Sequence, residues 1–368
     1  MRIWTRTTNE RVLTARLQID LSAIQDNWRL LDGQHPGETA GVVKADAYGL
    51  GMAQVAPALA AAGCRTFFVA HLAEAAALRA LLPGVRIATL NSLEPGEAAD
   101  FAAHEVVPVL GALHEVALWR EHARRLGRVL PCFLQLDTGM HRLGLSAGEL
   151  ARMHQDPSLL EGLRVDVVMT HLIASDVPDD PNNARQARLF VEKRKQFPGV
   201  KTSFANSSGM FLGEVFYSDL ARPGVALYGG NPTPGQPNPM RDVVRLTAPI
   251  LQIHALEPGD TVGYCGTWRA ARPSRIATVG VGYADGFHRR LSNMGAAYFD
   301  DTPVPLVGRV SMDLSTFDVT DVPAEIGGML TLLGPAHGVD ALAAEAGTIG
   351  YEILTSLGRR FARRYIGA

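Results

Sequence analysis

A single lysine, Lys44, closes an apolar run and opens a stretch of small residues: Val42-Val43-Lys44-Ala45-Asp46-Ala47-Tyr48-Gly49-Leu50-Gly51. Two β-branched residues lead into it, so the spacing predicts a buried strand with the lysine at its last inward position. An amine is costly to bury there unless it is paired or chemically used. Burial lowers its pKa and frees the neutral amine, the form that Schiff-base chemistry needs. Gly49 and Gly51 let backbone approach a ligand closely, and Tyr48 adds a hydroxyl. A lysine snorkelling from a strand end would show the same pattern. The reading therefore turns on what else the chain brings to the same place.

Short β-rich runs at residues 41–44, 66–70, 86–90, 105–110, 131–136, 165–171, 201–205 and 218–221 alternate with helical stretches. Eight such repeats over residues 15–238 predict an α/β fold, an N-terminal (β/α)8 barrel close to the usual length of about 250 residues. An open doubly wound sheet is the competitor, but no GxGxxG follows the first run. In a barrel the chemistry sits where strands end at the C-terminal face. The polar residues at those ends are Lys44, Gln135 with Asp137, His171, Asn206 with Ser207, and Arg222 with Gly224. Each alone has a plain structural explanation, as a satisfied core histidine, a cap or a surface arginine; their convergence on one rim does not. The seventh and eighth strand ends, Asn206-Ser207-Ser208-Gly209 and Arg222-Pro223-Gly224-Val225, offer free N–H groups for phosphate.

Residues 231–239 hold four prolines and no periodicity, which marks a linker. Beyond it, alternating runs at 251–256, 274–282, 304–310 and 314–319 predict a mainly-β domain over 239–368, with helices only from Leu342. It carries Val262-Gly263-Tyr264-Cys265-Gly266-Thr267-Trp268 and Val281-Gly282-Tyr283-Ala284-Asp285-Gly286. It also carries Gly308-Arg309-Val310-Ser311-Met312-Asp313 and Gly350-Tyr351. A tyrosine between glycines is usually a turn residue. Residues 1–14 carry no motif and are read as a possible extra strand of the β domain.

The 368 residues are 47% hydrophobic and 20% charged, enough for a full core. A net charge of −2 gives no electrostatic case for nucleic acid or membrane partners. Cys64, Cys132 and Cys265 are odd in number and lack disulfide or zinc spacing, so no metal is expected and a reducing cytoplasm fits. Residues 1–13 lack the apolar core of a signal peptide.

Together these motifs resemble the alanine racemase family of fold-type III pyridoxal phosphate enzymes, from about Ala15 to Ile366. The resemblance rests on residues 42–51, 137–144 (Asp-Thr-Gly-Met-His-Arg-Leu-Gly), 170–171, 205–207, 222–229, 262–268, 281–286, 309–313 and Tyr351. It implies a head-to-tail homodimer in which each β domain completes the partner's site. It implies that Lys44 holds pyridoxal 5'-phosphate and acts as one acid/base, with Tyr264 from the partner as the other. Tyr48, Asn206, Ser207, Gly224, Val225 and Tyr351 fall at positions that bind the cofactor or its phosphate, Arg222 at the pyridine nitrogen, with His171 beside it. Arg142 and the backbone of Met312 would receive the substrate carboxylate; Tyr283, Arg289 and Asp176 would line the entrance. The implied activity is interconversion of L- and D-alanine, supplying D-alanine for peptidoglycan.

The chemistry agrees with these roles. Racemisation needs a proton removed from one face of Cα and returned on the other, which two bases do directly. An unperturbed tyrosine, pKa about 10, is a poor base at neutral pH, so cationic neighbours such as Arg222 and His171 are expected to lower it. An arginine at the ring nitrogen cannot accept a proton, which is expected to restrain side reactions.

The chain departs from the family at Gln135, where many members have a lysine, often carbamylated. A neutral amide cannot hold Arg142 by charge, so an anion such as chloride near Gln135 and Arg142, or Asp137, is expected to fill the gap. His141 stands where small residues are common. Competing readings are a racemase of broader specificity (serine or lysine), a decarboxylase of the same architecture, which Arg222 argues against, and a non-catalytic pyridoxal phosphate carrier, which the second domain and Tyr264 argue against.

Overall fold

A computed structural model describes residues 14–367. The strand expected in the N-terminal segment thus falls, for residues 1–13, outside the described residues. The chain divides into a barrel unit, Leu21–Arg241, and a β unit that joins Asp242–Ile366 to the residues up to Asp20.

In the barrel unit, parallel strands follow in chain order: Gly41–Val42, Thr66–Val69, Arg86–Thr89, Val106–Leu110, Leu130–Gln135, Leu163–Met169 and Lys201–Ser203. The eighth, Leu220–Ala221, closes the ring. It pairs in parallel with Glu38–Thr39, just before the first strand. Arg222 N–H donates to the Ala205 carbonyl at 2.9 Å, and Val42 N–H to the Pro223 carbonyl at 3.2 Å. This is the (β/α)8 barrel expected from the alternation. Strands such as Thr66–Val69 and Val106–Leu110 are buried at every residue, because helices cover one side of a parallel sheet and the barrel core the other.

The helices carry one apolar stripe each. Leu113–Leu126 buries Val116, Trp119 and Ala123 and stops at Gly127, whose φ of +61° suits only a residue without a Cβ clash. The Trp119 indole N–H donates to the Pro131 carbonyl at 3.0 Å, fixing helix to strand. Pro181–Lys193 begins with Asp180 capping the Asn182 N–H and proline in the first turn. The proline-rich connector is stapled to the barrel unit: Asn238 Nδ2 donates to the Gly229 carbonyl and Arg241 N–H to Asn27 Oδ1.

The β unit holds a sheet in the order Thr302–Pro305, Ala296–Phe299, Met329–Leu333, Val244–Leu256, Arg16–Asp20, Ala362–Ile366. Ser274–Val279 and Ser315–Asp318 extend from the long strand. The bounds 15–238 expected for the barrel take in Arg16–Asp20, although it is not among the eight expected strands. It lies instead between Val244–Leu256, antiparallel, and Ala362–Ile366, parallel. Its alternation explains the placement: Leu17 and Ile19 are fully buried while Arg16 and Gln18 face outward. Among the described residues no helix is long and apolar enough to cross a membrane.

Candidate active site

Lys44 does not continue the first strand. The strand ends at Val42, and residues 45–48 form one turn of left-handed helix, with φ between +53° and +55° at Ala45, Asp46, Ala47 and Tyr48. Ala47 N–H donates to the Val43 carbonyl at 2.9 Å and Gly49 N–H to the Ala45 carbonyl at 2.7 Å. Each non-glycine residue held this way costs about 1–2 kcal/mol, so the surroundings must impose it. Glu74 does so from the helix after the second barrel strand, Leu72–Leu81. One carboxylate oxygen accepts the Ala45 N–H at 2.6 Å and the other the Ala70 N–H at 2.8 Å. Asp46 Oδ1 accepts the Met52 N–H at 2.7 Å and so starts the following helix. The turn leaves Lys44 partly buried. Burial first, and the Arg142 charge second, lower its pKa; Glu74 opposes them.

Arg222 ends the last barrel strand and is 4% exposed. One guanidinium nitrogen donates to the Thr170 carbonyl at 2.6 Å and the other to Ser203 Oγ. These partners are neutral. Burial pushes its pKa down to about 10, so it stays a cation at neutral pH. His171, at the end of the sixth strand, behaves differently. Burial, then the charges of Arg222, Arg142 and Lys44, push its pKa down to about 3. It is therefore neutral at physiological pH, and the expectation that it would be a cation lowering a nearby phenol is corrected. Its backbone is pinned from the helix Pro181–Lys193. Gln186 Nε2 donates to the His171 carbonyl at 2.9 Å while Gln186 Oε1 accepts the Ile173 N–H.

At the last two strand ends, Ser207 Oγ accepts the N–H of Gly224 at 2.9 Å and of Ala226 at 3.3 Å. Tyr48 packs on Tyr228 with ring centroids 4.7 Å apart and planes tilted by 31°, and the Tyr228 hydroxyl donates to the Val42 carbonyl. A Cβ on Gly224 would lie 2.1 Å from the Tyr48 hydroxyl, so only glycine fits. Val225 is buried beside it. Asn206 serves the local backbone: its Oδ1 accepts from Gly209 N–H and Ser175 Oγ.

After the fifth strand, residues 135–145 fold back on themselves. Leu145 N–H donates to the Gln135 carbonyl and Asp137 N–H to the Leu145 carbonyl. Gln135 Nε2 donates to the Leu143 carbonyl at 3.1 Å. Asp137 Oδ1 accepts the N–H groups of Gly139 and His141, and its Oδ2 meets His141 Nδ1 at 2.7 Å. Burial raises the Asp137 pKa, but these hydrogen bonds outweigh it and hold the carboxyl below its usual range. Both oxygens of Asp137 thus serve His141 and the loop, which corrects the expectation that it substitutes for a charge beside Arg142. Nor does the Gln135 amide need an anion, since it is engaged by backbone, and the expected chloride has no support. Arg142 and Asp176 are exposed.

Tyr264, Tyr283, Arg289, Met312 and Tyr351 lie in the β unit and all are exposed, Tyr264 at 67%. Two loops there are locked together. Tyr283 N–H donates to the Ser311 carbonyl and Ala284 N–H to the Met312 carbonyl. Arg360 bridges Asp285 and Asp313, each at 2.7 Å. Beside Tyr264, Cys265 holds φ at +62° and its Sγ contacts the Arg309 guanidinium at 3.4 Å.

Sequence reasoning missed Glu74, Gln186, Tyr228 and Arg360. Only Glu74 left a signal, three residues after His71 at a capping-box spacing.

The barrel residues fit a phosphorylated, ring-bearing cofactor. Arg222 is a buried cation among neutral partners. Ser207 gathers the amides of Gly224 and Ala226, and Gly224 leaves room at the Tyr48 hydroxyl. A (β/α)8 barrel with a lysine of lowered pKa after its first strand is an arrangement suited to amine chemistry. The model of the alanine racemase N-terminal domain matches residues 19–232, and that of the alanine racemase C-terminal domain residues 243–365. An alanine racemase of Acidiphilium cryptum is 59% identical over 94% of this chain and 97% of its own length. A catabolic alanine racemase of Agrobacterium fabrum is 46% identical over 96% of this chain and 92% of its own. The solved alanine racemase of Bartonella henselae, with covalently bound pyridoxal phosphate, superposes with a TM-score of 0.93. It is 40% identical, covering 96% of this chain and 99% of that one. The chain belongs to the alanine racemase family, and its activity is the racemisation of alanine.

Proposed function

We propose that the chain racemises alanine with pyridoxal 5'-phosphate by a two-base mechanism, as a head-to-tail homodimer in the cytoplasm. The observation that carries the reading is the shared rim. A lysine of lowered pKa, an arginine cation with neutral partners and the Ser207–Gly224 cradle all stand at strand ends of one barrel.

When bound, the cofactor supplies an electron sink that acidifies the Cα–H of the amino acid. Lys44 would hold it and take or return the proton on one face of Cα. Tyr264 of the partner subunit would serve the other face, and its exposure in the β unit suits a side chain that completes another chain's site. Tyr48, Ser207, Gly224, Val225 and Tyr351 would hold the phosphate. Arg222 would set a positive charge at the ring nitrogen and, at a pKa of about 10, accept no proton there. His171, neutral, would contribute packing and not charge. Arg142 and the Met312 backbone would take the substrate carboxylate, with Tyr283, Arg289 and Asp176 at the entrance.

The test is formation of D-alanine from L-alanine by purified protein, with exchange of Cα hydrogen followed in heavy water. Tyr264→Phe should stop racemisation yet leave exchange on one enantiomer, since Lys44 still serves its own face. Exchange lost equally on both enantiomers would overturn the two-base assignment. Supply of D-alanine for peptidoglycan is the proposed role. The similarity to a relative named catabolic favours, as a second reading, consumption of D-alanine; a deletion strain that requires added D-alanine supports the first, and one that only loses growth on D-alanine as carbon source supports the second. A panel of serine and lysine defines the specificity.

A further inference from the structure

The loop that carries Arg142 contains a residue with no explanation in packing. His141 is exposed, its side chain at 77%, yet its backbone is held at φ +53°. An exposed non-glycine residue persists in that conformation only where its surroundings over-determine it. Here the determinant is Asp137, four residues back. Asp137 takes the His141 ring nitrogen on one oxygen at 2.7 Å. Its other oxygen takes the His141 N–H at 3.1 Å and the Gly139 N–H at 2.8 Å. The far side of the loop is tied by Gln135 to the Leu143 carbonyl. The base is shut where a Cβ on Gly144 would lie 2.7 Å from Asp137 N, at φ +119°. Arg142 is thus flanked by two tied residues, His141 and Leu143. Its charge acts on both Lys44 and His171, lowering the pKa of each after burial.

We propose that His141 is a positioning residue. Clipped to Asp137, it fixes the 137–144 loop so that the exposed Arg142 is presented to the substrate carboxylate. This rests on the reading of Arg142 as the carboxylate receptor. The clip acts on how well the substrate is held, and not on the bases at Cα. Its signature is therefore in KM and in the affinity for a carboxylate lacking the amine, with kcat little changed.

The experiment compares His141→Gly, which keeps the left-handed backbone and loses the ring, with His141→Asn, which keeps a donor and tolerates the same φ. Each is assayed as holoenzyme for KM, kcat, inhibition by propionate and Tm. His141→Gly should raise KM for alanine and the propionate inhibition constant by about tenfold, with kcat and Tm close to the parent. His141→Asn should restore most of both constants. Parental KM and propionate affinity in His141→Gly, or a loss of kcat with KM unchanged, overturns the proposal. So does a fall in Tm that both variants share. Arg142→Ala separates the two levels. If it raises KM while His141→Gly does not, only the clip fails; if it leaves KM unchanged, the carboxylate reading fails and the clip with it.

Discussion

The carboxylate of Glu74 accepts the N–H of Ala45 at 2.6 Å, and through its second oxygen it ties that residue to Ala70. The turn that presents Lys44 is therefore held from the neighbouring strand end. Glu74 also raises the Lys44 pKa against burial and Arg142. Glu74→Gln should let the amine titrate at lower pH, seen as a downward shift of the acid limb in the pH profile of kcat/KM. Glu74→Ala should cost about 2 kcal/mol, since charge-assisted hydrogen bonds are lost, measurable by urea unfolding. An unmoved acid limb in Glu74→Gln would show that the carboxylate is structural only.

Ala45 is exposed and sits at φ +53°. Its methyl group buries nothing and opposes the left-handed turn. Ala45→Gly should raise stability by about 0.5–1 kcal/mol, the relief of the left-handed penalty less the added freedom of the unfolded chain. A lower Tm would mean that the turn is not the resting conformation.

His171 is neutral in the folded chain because its pKa is pushed to about 3, whereas an unfolded histidine titrates near 6.5. Between those values the unfolded state binds more protons. Stability is therefore full above about pH 6.5 and falls with acidification, by about 1 kcal/mol per pH unit from this residue alone. His171→Gln should flatten that slope. Identical acid denaturation curves for the two proteins would refute the neutral assignment.

Arg222 carries a buried charge whose partners are a carbonyl and a hydroxyl. Arg222→Leu relieves its desolvation but leaves Thr170 and Ser203 short of a donor. The two effects oppose each other, so stability of the cofactor-free protein should change by only about 1 kcal/mol. Racemase activity should fall by at least about two orders of magnitude. Large destabilisation with activity per folded molecule preserved would reverse this assignment.

Much of the barrel is readable from sequence because strands buried on both faces print as continuous apolar runs, as in residues 66–69 and 106–110. Polar residues at the ends of those runs then mark the rim. The left-handed turn is not readable: Ala45, Asp46, Ala47 and Tyr48 include no glycine, and the strain is imposed by Glu74 from a later helix. The first helix starts at Leu21, so Ser22 is inside its first turn and not its cap. Gln25 donates to the Ala58 carbonyl. Arg16–Asp20 falls inside the expected barrel bounds only because its true neighbours lie at the far end of the chain. The charge state of His171 depends first on its burial and then on the charges of Arg222, Arg142 and Lys44, which spacing along the chain does not reveal.

That terminal pairing governs how the molecule is made. Arg16–Asp20 is synthesised before the whole barrel unit, but one of its neighbours, Ala362–Ile366, is synthesised after it. At ordinary translation speeds the nascent strand waits on the order of tens of seconds with an edge uncovered. The barrel can close during that interval, whereas the sheet cannot be completed until Ala362–Ile366 emerges. Premature termination should therefore yield a closed barrel trailing a sticky, unzipped ribbon.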